Sequence, residues 1–286
     1  MVNDVKIIEC PRDAMQGLHD FIPTETKISY LNTLLKCGFD TIDFGSFVSP
    51  KAIPQLRDTA EVLNKLELTN STKLLAIIAN ERGATDACKF EEINYLGFPF
   101  SVSESFQQRN TNSSIADSLK RVEAIQNLVI ANKKELVVYL SMGFGNPYGD
   151  EWTSDIVIKW CELLYSKLDI KIQALSDTIG IASPQSIEYL FNALIPSLPN
   201  VEFGAHLHTV PQNAKNIIEA AFNAGCRRFD GAIKGFGGCP MASDDLTGNM
   251  PTEIMIEWFN QNNIKTGIDK TFLNKALSKS LKVFPN

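Results

Sequence analysis

The sequence predicts an α/β fold, a (β/α)8 (TIM) barrel with extra C-terminal helices, and three observations carry that prediction. Eight strand-like runs alternate with helical stretches along 286 residues. Several of those runs are apolar on both faces, as parallel strands buried between helices are. No G-x-G-x-x-G run marks the open, dinucleotide-binding alternative. A barrel of this type commonly fills this length, so residues 1–286 read as a single TIM-barrel domain. A doubly wound open sheet is the fallback.

Residues 5–10 read as the first strand, ended by Pro11, and 12–16 as a polar loop. A helix over about 24–37 is stopped by Gly38, the residue type that best takes the left-handed turn past a helix end. The second strand covers 40–45, and a loop with Ser49-Pro50 and Pro54 leads to a helix over 56–66. Residues 73–79 are a near-continuous apolar strand, followed by a short helix around 83–90. The fourth strand lies within 93–103, and the next helix over about 114–132. The fifth strand spans 135–142 with a helix over 153–168, and the sixth spans 171–176. Ser183 and Pro184 stand at the cap and first position of a helix over 184–196. There a hydroxyl accepts an otherwise free backbone N–H, and a missing N–H costs nothing. Residues 201–206 are the seventh strand, 211–224 a helix ended by Gly225, and 227–232 the eighth strand. Helices over about 251–262 and 269–281 close the chain.

Apolar residues make up 44% of the chain, enough to bury one large core. Net charge is −6, and no basic run exceeds Lys133-Lys134 or Arg227-Arg228. That argues against nucleic acid or an anionic membrane surface as the partner. No segment approaches the roughly 20 apolar residues of a bilayer span, and the N-terminus does not resemble a signal peptide. The six cysteines (10, 37, 88, 161, 226 and 239) form no C-x-x-C pair. They are expected to be reduced thiols in a cytoplasmic protein. Oligomeric state stays open, with a homodimer as one expectation.

The chemistry centres on residues 201–208, where His206 and His208 stand two apart in a strand and emerge on one face. Two of the chain's three histidines sit here. Paired imidazoles at this spacing are either metal ligands or satisfied histidines at a strand end. In a barrel the active site lies at the C-terminal ends of the strands, so the other strand ends help to decide. Arg12 and Asp13 follow strand one, Asp43 ends strand two with Ser46 just beyond, and Asp177 ends strand six. Cys239 and Asn249 follow strand eight. Strands one and seven are near neighbours across the closure, so Asp13, His206 and His208 offer a carboxylate and two imidazoles. Asn249 can add a carbonyl oxygen. Mixed N/O ligation, open to water, suits Mg2+ or Mn2+, with Zn2+ or Co2+ as alternatives. Asp43 and Asp177 read as acids that orient ligands or hold a base, or else as ordinary strand-end acids. Arg12 offers fixed donors to an oxygen that becomes negative during reaction, or an ion pair with Asp43 or Asp177. The two roles are compatible, since one acid can aim the guanidinium. Cys239 lies in the glycine-rich run Gly235-Phe236-Gly237-Gly238-Cys239-Pro240, which can move over a site; the other cysteines read as packing residues.

These residues resemble a known family. Pro11-Arg12-Asp13-x-x-Gln16, Ser46-Phe47-Val48-Ser49-Pro50-Lys51, Asp177-Thr178-Ile179-Gly180, His206-x-His208 and the Gly235–Pro240 run through Gly248-Asn249 are similar to 3-hydroxy-3-methylglutaryl-CoA lyase. They occur in the family's order and span nearly the whole chain, within the wider group of metal-dependent barrel lyases and synthases. The resemblance implies cleavage of 3-hydroxy-3-methylglutaryl-CoA to acetoacetate and acetyl-CoA, a step of leucine degradation. It implies that Asp13, His206, His208 and Asn249 bind a divalent cation. Arg12 would stabilise charge on the thioester oxygen, His206 would help relay protons, and Cys239 would be the proton-transfer thiol. It also implies an acyl-CoA partner, held at the barrel mouth by Arg109 and Asn110, with Arg82 as a second candidate; either arginine reads equally as a solvated surface residue.

Three departures stand out. Cys10, Ala14 and Met15 replace the usual residues around Pro-Arg-Asp, Asp43 stands where the family usually has Glu, and Thr209 where it usually has Asp. The ligand set survives intact; its surroundings do not. Two rivals follow: a related aldolase or acyl-CoA condensing enzyme of the same group, and a barrel that binds metal or a CoA ester without turnover.

Overall fold

A computed structural model describes residues 4–68, 71–238 and 247–284. Eight parallel strands form a closed barrel in the order β1 to β8, with β8 pairing back onto β1. Strand β1 (Lys6–Glu9) runs into α1 (Pro11–Gln16) and α2 (Thr24–Leu34). The segment expected as a polar loop is therefore a short helix. Pro11 takes its first turn, where no N–H is needed, and its polar side chains are buried inward rather than solvated, with Arg12 and Asp13 only 6% and 7% exposed.

After β2 (Thr41–Ser46), the helix expected over 56–66 divides into a 3-10 turn at Pro54–Leu56 and the short α3 (Thr59–Leu63). Strand β3 (Lys73–Ile77), α4 (Glu81–Cys88) and β4 (Ile93–Ser101) follow as the periodicity indicates. The polar run after β4 is another helix, α5 (Glu104–Thr111), begun by the Ser103 hydroxyl accepting from the Phe106 N–H at 3.1 Å. Only Phe106 and Gln107 of this helix are buried, so it shows no apolar stripe for sequence reading to find.

The remaining units are α6 (Ile115–Ala131), β5 (Glu135–Ser141), α7 (Ser154–Leu168), β6 (Ile172–Asp177) and α8 (Pro184–Ser197). Ser183 caps α8 in a reciprocal capping box with Ser186, as its position foretells. Then come β7 (Glu202–Leu207), α9 (Ala214–Asn223), β8 (Arg228–Gly231), α10 (Thr252–Gln261) and α11 (Lys270–Val283). The TIM-barrel expectation is borne out.

The C-terminal α11 packs against α2, and Gly38, just past α2, approaches Gly267 just before α11. Its φ is +87°, and a Cβ there would sit 2.6 Å from the Gly267 carbonyl oxygen, so both turn and contact exclude a side chain. Just past α11, the Phe284 ring stacks on Phe236 with centroids 4.5 Å apart. The tail thereby braces the loop after β8, at the end of the barrel where function is expected. No helix among the described residues is long and apolar enough to cross a membrane.

Candidate active site

The C-terminal strand ends bring Asp13, His206 and His208 together, with ligand-capable atoms all within 4.8 Å of one another. Asp13 arrives on α1, directly after β1; His206 lies on β7, and His208 just beyond it. A two-residue antiparallel bridge between His208 and Asn249 draws the far end of the β8 loop alongside. The Asn249 amide nitrogen donates to Asp13 Oδ2 at 2.8 Å and to the Phe236 carbonyl at 2.9 Å. A carbonyl can only accept, so it fixes which end of the amide is nitrogen and leaves Oδ1 as the acceptor end. Gly237 makes this closeness possible. Its φ is +96°, and a Cβ would meet Asn249 Nδ2 at 2.7 Å and Ala14 Cα at 2.8 Å.

Both imidazoles are oriented from behind by acceptors. His206 Nδ1 faces Asp230 Oδ2 at 3.1 Å, and His208 Nδ1 faces the Thr247 carbonyl at 3.0 Å. Each acceptor favours a proton on Nδ1 and a lone pair on Nε2, the form that ligates metals. With the Asp13 carboxylate, these imidazoles make a donor set that fits a divalent metal ion, and the Asn249 amide lies against it through Asp13.

Arg12 is the hub of the charged network. Its Nε and Nη2 donate to Asp43 Oδ2 at 2.9 and 2.5 Å, and its Nη1 donates to Asp13 Oδ1 and Gln16 Oε1, each at 2.8 Å. Of the two ion pairs the sequence allows for Arg12, the one with Asp43 forms. Asp177 instead accepts backbone N–H groups from Gly180, Ile181 and Ala182, which folds the loop after β6 around its carboxylate.

These contacts set the titration of the site. Burial works against the charged form of Asp13, but Arg12 and the two histidines outweigh it and hold its carboxyl below the usual range. Burial raises Asp43 to about 6 even with Arg12 beside it. Burial also opposes charge on His206, yet the bond and charge of Asp230, then Asp13, lift its pKa above the ordinary value. His208 falls to about 4 through burial and the neighbouring His206.

Above the triad opens a pocket of about 780 Å3, counting the solvent space at its mouth. Arg12, Asp13, His206, His208 and Thr178 supply its polar floor, and Val48, Ile53, Ile77 and Phe106 an apolar wall.

Residues 4–279 match the family model described as HMGL-like. The chain belongs to the HMGL-like family. Among HMGL-like relatives, it is 34% identical over 270 residues to hydroxymethylglutaryl-CoA lyase YngG of Bacillus subtilis (strain 168), covering 94% of this chain and 88% of that protein. The crystal structure of the Bacillus subtilis HMG-CoA lyase superposes with a TM-score of 0.91 at 32% identity, covering 98% of this chain and 94% of that one. An HMG-CoA lyase from Acinetobacter baumannii, in complex with coenzyme A and 3-methylmalate, gives a TM-score of 0.90 at 30% identity, covering 98% and 90%. The family resemblance read from the motifs is borne out.

The other expected site residues of this HMGL-like barrel are dispersed. Asn110 lines the pocket, whereas Arg109 lies outside it with its guanidinium 4.8 Å from the Tyr148 ring centroid. Arg82 is exposed on α4, paired with Asp86 at 3.1 Å. Cys239 lies outside the described residues. Sequence reading missed Asp230 and Tyr139. Tyr139 lines the pocket and meets the His206 ring edge-on at 5.2 Å between centroids. Asp230 had a usable signal: an acid amid apolar neighbours in a barrel strand needs a buried partner.

Proposed function

We propose that this chain is a divalent-metal-dependent carbon–carbon lyase that cleaves 3-hydroxy-3-methylglutaryl-CoA to acetoacetate and acetyl-CoA. The observation that carries this reading is the Asp13–His206–His208 triad beside the Arg12 guanidinium, at the mouth of an HMGL-like barrel. Asp13, His206, His208 and the Asn249 oxygen would hold the cation, with Mg2+ or Mn2+ favoured by the oxygen share of the set. When bound, the cation supplies Lewis acidity toward the substrate's hydroxyl and carboxylate oxygens.

The chain's own groups do the rest. Guanidinium has five N–H donors; bonds to Asp43, Asp13 and Gln16 engage four of Arg12's, and one on Nη2 remains to meet the thioester oxygen as the enolate forms. Asp43 acts through Arg12, whose plane it sets. Cys239 gives its thiol proton to the enolate carbon, and the proton lost from the C3 hydroxyl, its relay helped by His206, restores that thiol, so one proton leaves the substrate and one returns. Asp177 acts through the loop it organises, which places Thr178 in the pocket. Asn110, which lines the pocket, and Arg109, outside it beside Tyr148, would meet the coenzyme A portion at the mouth, with exposed Arg82 on α4 as a second candidate. A cytoplasmic setting is in keeping with six cysteines that form no C-x-x-C pair. A place in leucine degradation follows from the proposed substrate.

The test is a screen of short 3-hydroxyacyl-CoA esters with purified protein and Mg2+ or Mn2+. Release of acetyl-CoA and acetoacetate from 3-hydroxy-3-methylglutaryl-CoA is the expected result. Cleavage of a different ester alone would move the substrate assignment, and no cleavage of any would end the lyase reading.

A further inference from the structure

The two histidines of the triad are held from behind by unlike groups. Behind His208 stands a neutral backbone carbonyl; behind His206 stands the carboxylate of Asp230. Asp230 is 3% exposed, and its second oxygen has no hydrogen-bond partner among the described residues. Burying a carboxylate for one hydrogen bond costs the fold stability. Such an arrangement persists where the bond itself matters.

The barrel builds this pair deliberately. Strands β7 and β8 are in register at Gly204–Arg228 and Ala205–Phe229, and one step further sets Asp230 beside His206. Arg228, two residues back on the same face and 1% exposed, leaves Nε and Nη2 without partners among the described residues. Its charge offsets that of Asp230 from below. Cys10 also lies within reach, since its sulfur and the His206 and Asp230 ligand atoms are all within 4.8 Å of one another. That thiol donates to the Ile8 carbonyl at 3.9 Å, so it does not compete for the ring proton.

Resting on the metal-centre reading above, we infer that Asp230 is a positioning residue for His206: it holds the proton on Nδ1, keeps the Nε2 lone pair for the metal, and makes His206 the stronger electron donor of the two imidazole ligands. Such carboxylate–histidine–metal relays tune ligand strength and orientation in metal sites generally. Here the relay separates two histidines that the sequence presents as equivalent.

Only three histidines occur in the chain, so histidine-selective 15N labelling resolves the tautomer of each, with His206→Gln assigning the signal. At a pH above the titration of His206, the apo protein is expected to show His206 as the Nδ1–H tautomer, a mixture in Asp230→Ala, and an intermediate state in the near-isosteric Asp230→Asn. Titration with Mn2+ followed by electron paramagnetic resonance should show about 10- to 100-fold weaker binding in Asp230→Ala. Asp230→Asn should fall between, and its thermal melt reports that the fold is kept. A wild-type His206 in the Nε2–H form overturns the inference. So does Mn2+ affinity that neither substitution changes while the wild type binds normally. A wild type that binds no Mn2+ overturns the metal-centre reading itself.

Discussion

Arg12 and Asp43 form a buried pair in which two guanidinium nitrogens converge on one carboxylate oxygen, at 2.9 and 2.5 Å. Asp43 Oδ1 has no hydrogen-bond partner among the described residues. The acid therefore serves chiefly to hold Arg12, which in turn touches Asp13 at 2.8 Å. Removing it leaves a buried cation short of its main counter-charge. Asp43→Ala should cost about 3–5 kcal/mol of stability, read by denaturant unfolding, and should lower kcat more than it raises KM. Asp43→Glu tests the residue usual in the resembled family. The side chain is fully buried, so an added methylene should cost about 1–3 kcal/mol unless the helix carrying Arg12 shifts.

Metal dependence is the most direct check on the triad. Treatment with a chelator should abolish turnover, and Mn2+ should restore it. Binding to the folded state alone should stabilise the apo protein by about 2.7 kcal/mol at a free Mn2+ concentration 100 times Kd. The measurement is the shift in melting temperature with added Mn2+. His208→Ala should remove most of that shift, because it deletes a proposed ligand rather than a neighbour of one.

Glu9 makes stability depend on pH. Its carboxyl is fully buried, accepting from the Ile233 N–H at 2.9 Å and the Thr252 hydroxyl at 2.6 Å. Burial lifts its pKa from 4.5 to about 8, against both hydrogen bonds. Between those values the unfolded chain has released the proton while the folded chain keeps it. The stabilising contribution is therefore whole below pH 4.5 and is lost as pH rises toward 8. Against Glu9→Gln, which cannot ionise, the wild type should lose up to about 1.4 kcal/mol per pH unit across that window. Denaturant unfolding of both proteins at several pH values measures it; parallel curves would refute the assignment.

Phe284 connects the chain's tail to the site. Its ring stacks on Phe236 at 4.5 Å and meets Tyr30 edge-on at 6.0 Å, and the Phe236 carbonyl in turn accepts from Asn249 at 2.9 Å. Phe284→Ala should cost about 3–5 kcal/mol of stability. It should also weaken Mn2+ binding, since it loosens the loop that presents Asn249. Isothermal titration at a temperature where the variant stays folded separates the two effects.

Cys239→Ser probes the proposed proton-transfer thiol. Turnover should drop sharply while Mn2+ affinity stays as in the wild type. Full turnover would return this cysteine to a packing role.

Much of this protein is legible from sequence because its determinants are local. Apolar runs of strand length, Gly38 after a helix and Ser183-Pro184 before one each act within a few residues, so eight βα units can be counted from the chain. The histidine pair is legible for the same reason, since strand alternation alone puts His206 and His208 on one face. The short helices escape because they lack an apolar stripe: α1 buries charged side chains into the barrel mouth, and α5 buries little of itself. What only the tertiary structure decides is pairing between distant strands. Asp43 might have faced solvent or Asp177 might have held Arg12; closing the barrel gives Arg12 to Asp43 and leaves Asp177 to its own loop. Asp230 reaches His206 only because β7 and β8 are in register, and Asn249 reaches Asp13 only because Gly237 leaves room for it. Long-range register and close packing are properties of the closed barrel as a whole, and no window of sequence carries them.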